Sequence, residues 1–228
     1  MRRRPLPCFL AALALVAAPA LPGRAGEAEA PRSLDELPST ARDSVTALLA
    51  KSRREYGEDA VVMQAQLLLN TLRHGSQLAA GVRIAGVEEF RGTPYLRFAL
   101  ETGLVFDDRT RDRNARVHML WAAIMEPTLA SVETLEISAE GVAVDMQSHH
   151  RPYETNRALR ATIDDPGTVE HVTFYVRAAD VNAVRAAAGA TRELFGRALV
   201  VVDDTPLAPA PLPSDPPTFP GPDASPRP

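Results

Sequence analysis

The chain of 228 residues has one cysteine, one tryptophan and one lysine. The cysteine, Cys8, sits inside an N-terminal apolar stretch that reads as a cleavable export signal. The mature protein is therefore expected to have no disulfide, no Cys metal ligand and no Cys nucleophile, and to hold together by packing alone. The lone lysine, Lys51, leaves arginine as nearly all of the positive charge. Heavy use of Ala, Arg and Pro points to a GC-rich bacterial genome, so abundant arginine is not read as an anion-binding signature.

The catalytic and nucleotide fingerprints are absent too. There is no G-x-S-x-G, S-x-x-K, G-x-x-x-x-G-K-[ST] or G-x-G-x-x-G, and no H-E-x-x-H, H-x-H or H-x-x-x-H spacing. A dinucleotide fold is excluded on this count, and no cofactor is expected. Formal charge is −4, and loss of Arg2, Arg3, Arg4 and Arg24 with the signal would make it about −8. That sign opposes binding to nucleic acid or anionic lipid.

What is present begins with the signal itself. Arg2 to Arg4 form a positive start, Leu6 to Leu21 an apolar run, and Ala18-Pro19-Ala20 and Gly23-Arg24-Ala25 two small-residue cleavage patterns. At about 16 residues, with Pro7 and Pro19, the run is short for a spanning helix, which needs about 20. Cys8 precedes most of the run, which excludes a lipoprotein signal. Residues 1–25 are thus expected to direct the chain to a periplasmic or secreted location, with no stable membrane span after cleavage.

Residues 31–204 are expected to form one α+β domain, an antiparallel or mixed sheet of about six strands packed against an N-terminal helical hairpin and further helices. The hairpin is placed at 31–56 and about 58–78, divided at Gly57, on the apolar spacing of Val45, Leu48, Leu49, Ser52 and Tyr56 and of Val61, Ala65, Leu68, Leu69 and Leu72. Strands are expected at 82–90 and 94–102, turned at Arg91 to Pro94, with Gly86 as a bulge. A helix at about 110–126, anchored by Trp121, is expected to stop or kink at Pro127. A second hairpin is expected at 134–138 and 142–147, then a short helix near 154–162 and a turn at 164–167. A strand at 171–177, a helix over 178–195 and a strand at 198–202 would complete a crossover if the strands are parallel. From Thr205 onward ten of the last 24 residues are Pro, and 205–228 is read as a disordered tail.

Two sites are candidates. Alternation puts His171, Thr173, Tyr175 and Arg177 in a row along one strand face, with Tyr95 and Arg97 on the corresponding face of an earlier strand. This face, if open, is a binding surface for an envelope protein. Self-association is expected, if it occurs, through a sheet edge pairing across a dimer. The alternative is an exported hydrolase, metal-assisted, using His149, His150, Glu154 and Asp164. It requires a bend after His150, because neighbours on a straight strand point to opposite faces. The pairs Asp107-Asp108, Asp164-Asp165 and Asp203-Asp204 read as caps or turns, since Asp bonds local backbone N–H groups.

Overall fold

A computed structural model describes residues 31, 33–74, 81–107, 111–151, 168–187 and 190–213. Residues 1–30, the segment 152–167 with the helix and turn expected there, and the last fifteen residues lie outside these. The described chain is α+β. Six strands lie in one mixed sheet in chain order: β1 Val82–Phe90, β2 Thr93–Asp107, β3 Gly141–Arg151, β4 Thr168–Arg177, β5 Leu199–Val202 and β6 Thr205–Leu207. Only β2 and β3 run parallel; the other neighbours are antiparallel.

The helices are α1 Ser39–Tyr56, α2 Glu58–Arg73, α3 Arg113–Leu120, α4 Glu126–Ala130 and α5 Ala178–Ala186. None is long and apolar enough to cross a membrane. Their apolar sides meet one face of the sheet. Leu96, Phe98 and Leu100 of β2, Val142, Val144 and Met146 of β3, and Val172, Phe174 and Val176 of β4 join Met63, Leu67, Leu120, Trp121 and Val181 in a single core. Trp121 meets Phe174 and Phe195 edge-on at 5.4 and 5.2 Å, which ties the helical layer to β4.

The first two helices divide at Gly57, whose φ of 88° suits only glycine. The helical region expected from residue 31 is a short 3₁₀ turn, Leu34–Glu36, and then α1, because Pro38 lies in extended conformation as the cap of α1. The β1–β2 hairpin turns on Arg91 and Gly92, both at positive φ as a two-residue turn requires, and the bulge falls between Ile84 and Gly86.

Pro127 does not end its helix. Trp121–Met125 is a π-helical segment that leads directly into α4, and Glu126 N–H bonds back five residues to the Trp121 carbonyl. The wider turn gives the Pro ring room, and Pro127 has no N–H to offer the Ala123 carbonyl. The His74 ring donates to that carbonyl instead. Burial, the larger influence, holds His74 below the ordinary imidazole range.

Residues 134–138 do not form the first strand of a second hairpin. They belong to the connection that carries the chain from α4 back to the start of β3, which is why β3 lies parallel to β2. Side chains from helices satisfy their backbone: Asn182 accepts from Leu135 N–H at 2.8 Å and Asp59 from Glu136 N–H at 2.5 Å. The final strand–helix–strand is not a parallel crossover either. The helix expected over 178–195 is α5 followed by a separate 3₁₀ segment, Thr191–Arg197, packed against it. Out and back, the chain returns to the end of β4 where it left, so β5 is antiparallel to β4. The Pro-rich segment continues the sheet before it leaves it. Asp203 and Asp204, both at positive φ, turn β5 into β6. The next residues lie against the helical layer, where Ala210 C=O meets His118 Nε2 at 2.7 Å and the Arg192 guanidinium donates to the Pro213 carbonyl.

One charged pair lies on the core side of the sheet. Arg116 on α3 donates to both carboxylate oxygens of Glu170 on β4, at 2.8 and 2.7 Å, with the two side chains 9% and 1% exposed. A buried pair of this kind is costly to break on one side only, because the remaining charge then has no counter-charge in a place that water hardly reaches. Glu170→Gln is expected to cost roughly 3–5 kcal/mol in urea unfolding. Replacing both residues by apolar ones of similar volume is expected to recover most of that loss. Equal losses for the single and the double replacement would contradict this.

Candidate functional site

The strand alternation that buries Val172, Phe174 and Val176 against the helices sends His171, Thr173, Tyr175 and Arg177 to the other face of the sheet. Cross-strand register then sets their neighbours. Thr173 pairs with Asp145, and Asp145 with Ala99, which pairs with Arg83. Tyr175 pairs with Ala143, and Ala143 with Arg97; Arg177 pairs with Gly141, and Gly141 with Tyr95. All six residues expected to share a surface therefore stand on one outer face, and the apolar side of each described helix packs into the opposite core.

They do not form an open polar row. Tyr95 is 1% exposed, and Tyr175 and Thr173 are 8% exposed each. For the two tyrosines the cause is a second, small aromatic core. Phe90, at the end of β1, stacks on the Tyr175 ring at 4.1 Å with 13° between planes. Tyr95 meets Tyr175 edge-on at 5.1 Å and lies across Gly141, where an added Cβ would come within 2.9 Å of the ring. Gly141 is thus small because the Val176 carbonyl, 2.4 Å from such a Cβ, and then the Tyr95 ring occupy the place of its side chain. His171 and Arg177 are exposed, and Arg97 is partly so.

Beside the aromatic end runs a chain of charge. Arg97 donates to Glu88 at 2.8 Å and to Asp145 at 2.6 Å. The Asp145 side chain is 10% exposed and meets the His171 Nδ1 nitrogen at 3.3 Å through its other oxygen. The His171 backbone is itself pinned, since its N–H donates to the Asp203 carboxylate at 3.0 Å. The hydrogen bond to Asp145 raises the Arg97 pKa further. A ring held at Nδ1 by a carboxylate has its Nε2 atom directed elsewhere, and the His171 side chain is 52% exposed. Next to it lies a hollow of about 250 Å³ lined by Arg83, Ala99, Glu101, Asp145, Gln147 and His171.

The alternative site does not assemble among the described residues. β3 runs straight through His149 and His150 to Arg151, so the two rings leave on opposite faces. His149 Nε2 stands 3.6 Å from Glu101 on the outer face, while His150 pairs in register with Phe106 on the core side. Glu154 and Asp164 lie outside the described residues. Among the described residues no group of three or more His, Cys, Asp or Glu side chains is arranged to hold a metal.

Asp145, Glu88 and Arg83 complete the site and were not among the expected residues. A signal for Asp145 exists in the sequence. Asp is disfavoured in strands, and here it stands midway along an otherwise apolar and β-branched run. Its partners, two strands apart from each other, are fixed only by register.

Burial, with the Glu88 carboxylate beside it, pushes the Tyr175 phenol up to about 12. An ordinary phenol loses its proton near 10. Between these values the unfolded chain has lost a proton that the folded chain keeps. The associated stabilisation is complete below about pH 10 and is lost as pH rises through about 12. Phenolate absorbance of the folded protein is expected to include a late component that is absent from Tyr175→Phe. Absence of that late component from a chain that is still folded would contradict the packing described here. In comparisons with family models, curated proteins and solved structures, none matches this chain.

Proposed function

We propose that this chain is exported to the cell envelope, periplasmic or secreted, and acts there as a non-catalytic binding module whose outer sheet face is the recognition surface. Export is supported by the positive start, apolar run and small-residue cleavage patterns of residues 1–25. The binding role is supported by one observation above the rest. The outer face fixes an exposed histidine, His171, by a carboxylate that is itself held by Arg97 and through it by Glu88. Such rigid support for an exposed polar group lowers the ordering cost of recognition. Arg177 and the aromatic end extend the same face.

A hydrolase is a second reading, and the same Asp145–His171 pair favours it, because a carboxylate-oriented imidazole is the arrangement of a general base. Its centre would then be His171 and not His149 with His150. Ester hydrolysis that disappears in His171→Gln while the fold is retained would replace the binding module by this reading.

A photoreactive residue in place of Arg177 on the outer face, compared with one in place of Arg54 on α1, tests the module in cells of the source organism. Both positions are exposed. A discrete adduct is expected in the envelope fraction from position 177 and none from position 54. Deleting residues 1–25 is expected to leave the protein inside the cell and abolish the adduct. Identical adducts from both positions, or none from 177, would count against the outer face as the recognition surface.

A further inference from the structure

We infer that the hollow beside His171 is a carboxylate-binding pocket, with Arg83 as the charged clamp; this deepens the reading of the outer face as a binding surface and rests on it. The argument is one of unmatched partners. Of the acids that line the hollow, Asp145 is already held by Arg97 at 2.6 Å and by His171 at 3.3 Å, and Glu101 faces His149 at 3.6 Å. Arg83 lines the same space, and among the described residues no carboxylate pairs with it. Its cross-strand neighbour is Ala99, too small to cover it and unable to bond it. The Gln147 amide stands between Glu101 and His171 in register and offers two further N–H donors to the hollow.

The donor set favours a planar oxyanion. A guanidinium presents parallel N–H groups that match the two oxygens of a carboxylate. When the His171 ring carries both protons, it donates Nδ1–H to Asp145 and keeps Nε2–H for a ligand. Asp145 thus acts as a positioning residue; Arg97 is shared between Asp145 and Glu88, and Arg83, the one Arg or Lys in the lining of the hollow, carries the preference for an anion. The hollow, about 250 Å³ and open on one side, has room for a small acid or the terminal residue of a peptide. Those are two sources of one chemistry, a free small carboxylate and a peptide C-terminus.

The test uses the full exported chain and reads the His171 ring and Gln147 side-chain amide resonances during titration. N-acetylglycine supplies the carboxylate, and N-acetylglycinamide is the neutral control. A neutral tripeptide is added with its C-terminus free and, separately, amidated. Saturable shifts are expected with N-acetylglycine and with the free tripeptide, and none with either amide. Tighter binding of the free tripeptide assigns the pocket to a peptide C-terminus; equal or weaker binding assigns it to a small free acid. Arg83→Gln is expected to weaken binding at least about tenfold, while Arg91→Gln, which removes an exposed cation at the β1–β2 turn, leaves it unchanged. Failure of every carboxylate to saturate, equal shifts from acid and amide, or equal losses from Arg83→Gln and Arg91→Gln would overturn the pocket. Arg177 lies at the aromatic end of the face, outside the hollow lining. An adduct from position 177 without carboxylate binding would therefore refute the pocket alone, and carboxylate binding without that adduct would refute the wider surface alone.

Discussion

An acidic side chain stands in the middle of a six-stranded sheet and is almost wholly shielded from water. Asp145 belongs to β3, which has a neighbour on either side, and its carboxylate is 10% exposed. A carboxylate in such a place must be paired and hydrogen-bonded, or it would not remain charged. Arg97 from β2 serves one oxygen and His171 from β4 the other. Register between three strands is therefore locked on the outer face by charge as well as on the inner face by packing. A slip of one residue would send Asp145 to the core and its partners elsewhere.

The two faces divide the work of the molecule. On the inner face Trp121, Phe174 and Phe195 join helices to sheet, and the Arg116–Glu170 pair fixes the start of α3 on the start of β4. On the outer face the aromatic group around Tyr175 fills the end that no described helix covers, while the other end is polar and hollow. Stability and exposed chemistry thus share the same strands, but on opposite sides of them. The residues that hold the His171 ring, Asp145 and behind it Arg97, are strand residues and not loop residues, so its position is set with the precision of the sheet.

Much of the fold is readable in the sequence because it is periodic. Leu96, Phe98 and Leu100 of β2 alternate as a half-buried strand must, Gly86 marks the bulge in β1, and Gly57 parts two amphipathic helices. Which strands pair, and in which direction, is not periodic information. Residues 134–138 alternate like a strand, yet Asn182 and Asp59 take their backbone N–H groups and they become a connection. The helical stretch after β4 has the composition of one helix, but it is broken into two that fold back, and the strand direction reverses. Pro127 breaks an ordinary helix, but a π-turn ahead of it accommodates the ring. The composition of the Pro-rich segment hides a three-residue strand that depends on a two-Asp turn. For the site, alternation alone places His171, Thr173, Tyr175, Arg177, Tyr95 and Arg97 on one face. It does not reveal that Tyr95 and Tyr175 are buried there, since that depends on Phe90 reaching across from β1. Nor does it single out Asp145, whose role comes entirely from neighbours on other strands.

The central claim is that Asp145 fixes the His171 ring and directs its Nε2 atom outward. Nitrogen-15 spectra of the histidine side chains test it most directly, with Asp145→Asn as the reference. The account predicts that the neutral His171 ring carries its proton on Nδ1, bonded to Asp145, and that this preference is lost in the variant. A His171 ring with its proton on Nε2, unchanged by Asp145→Asn in a folded protein, would contradict it.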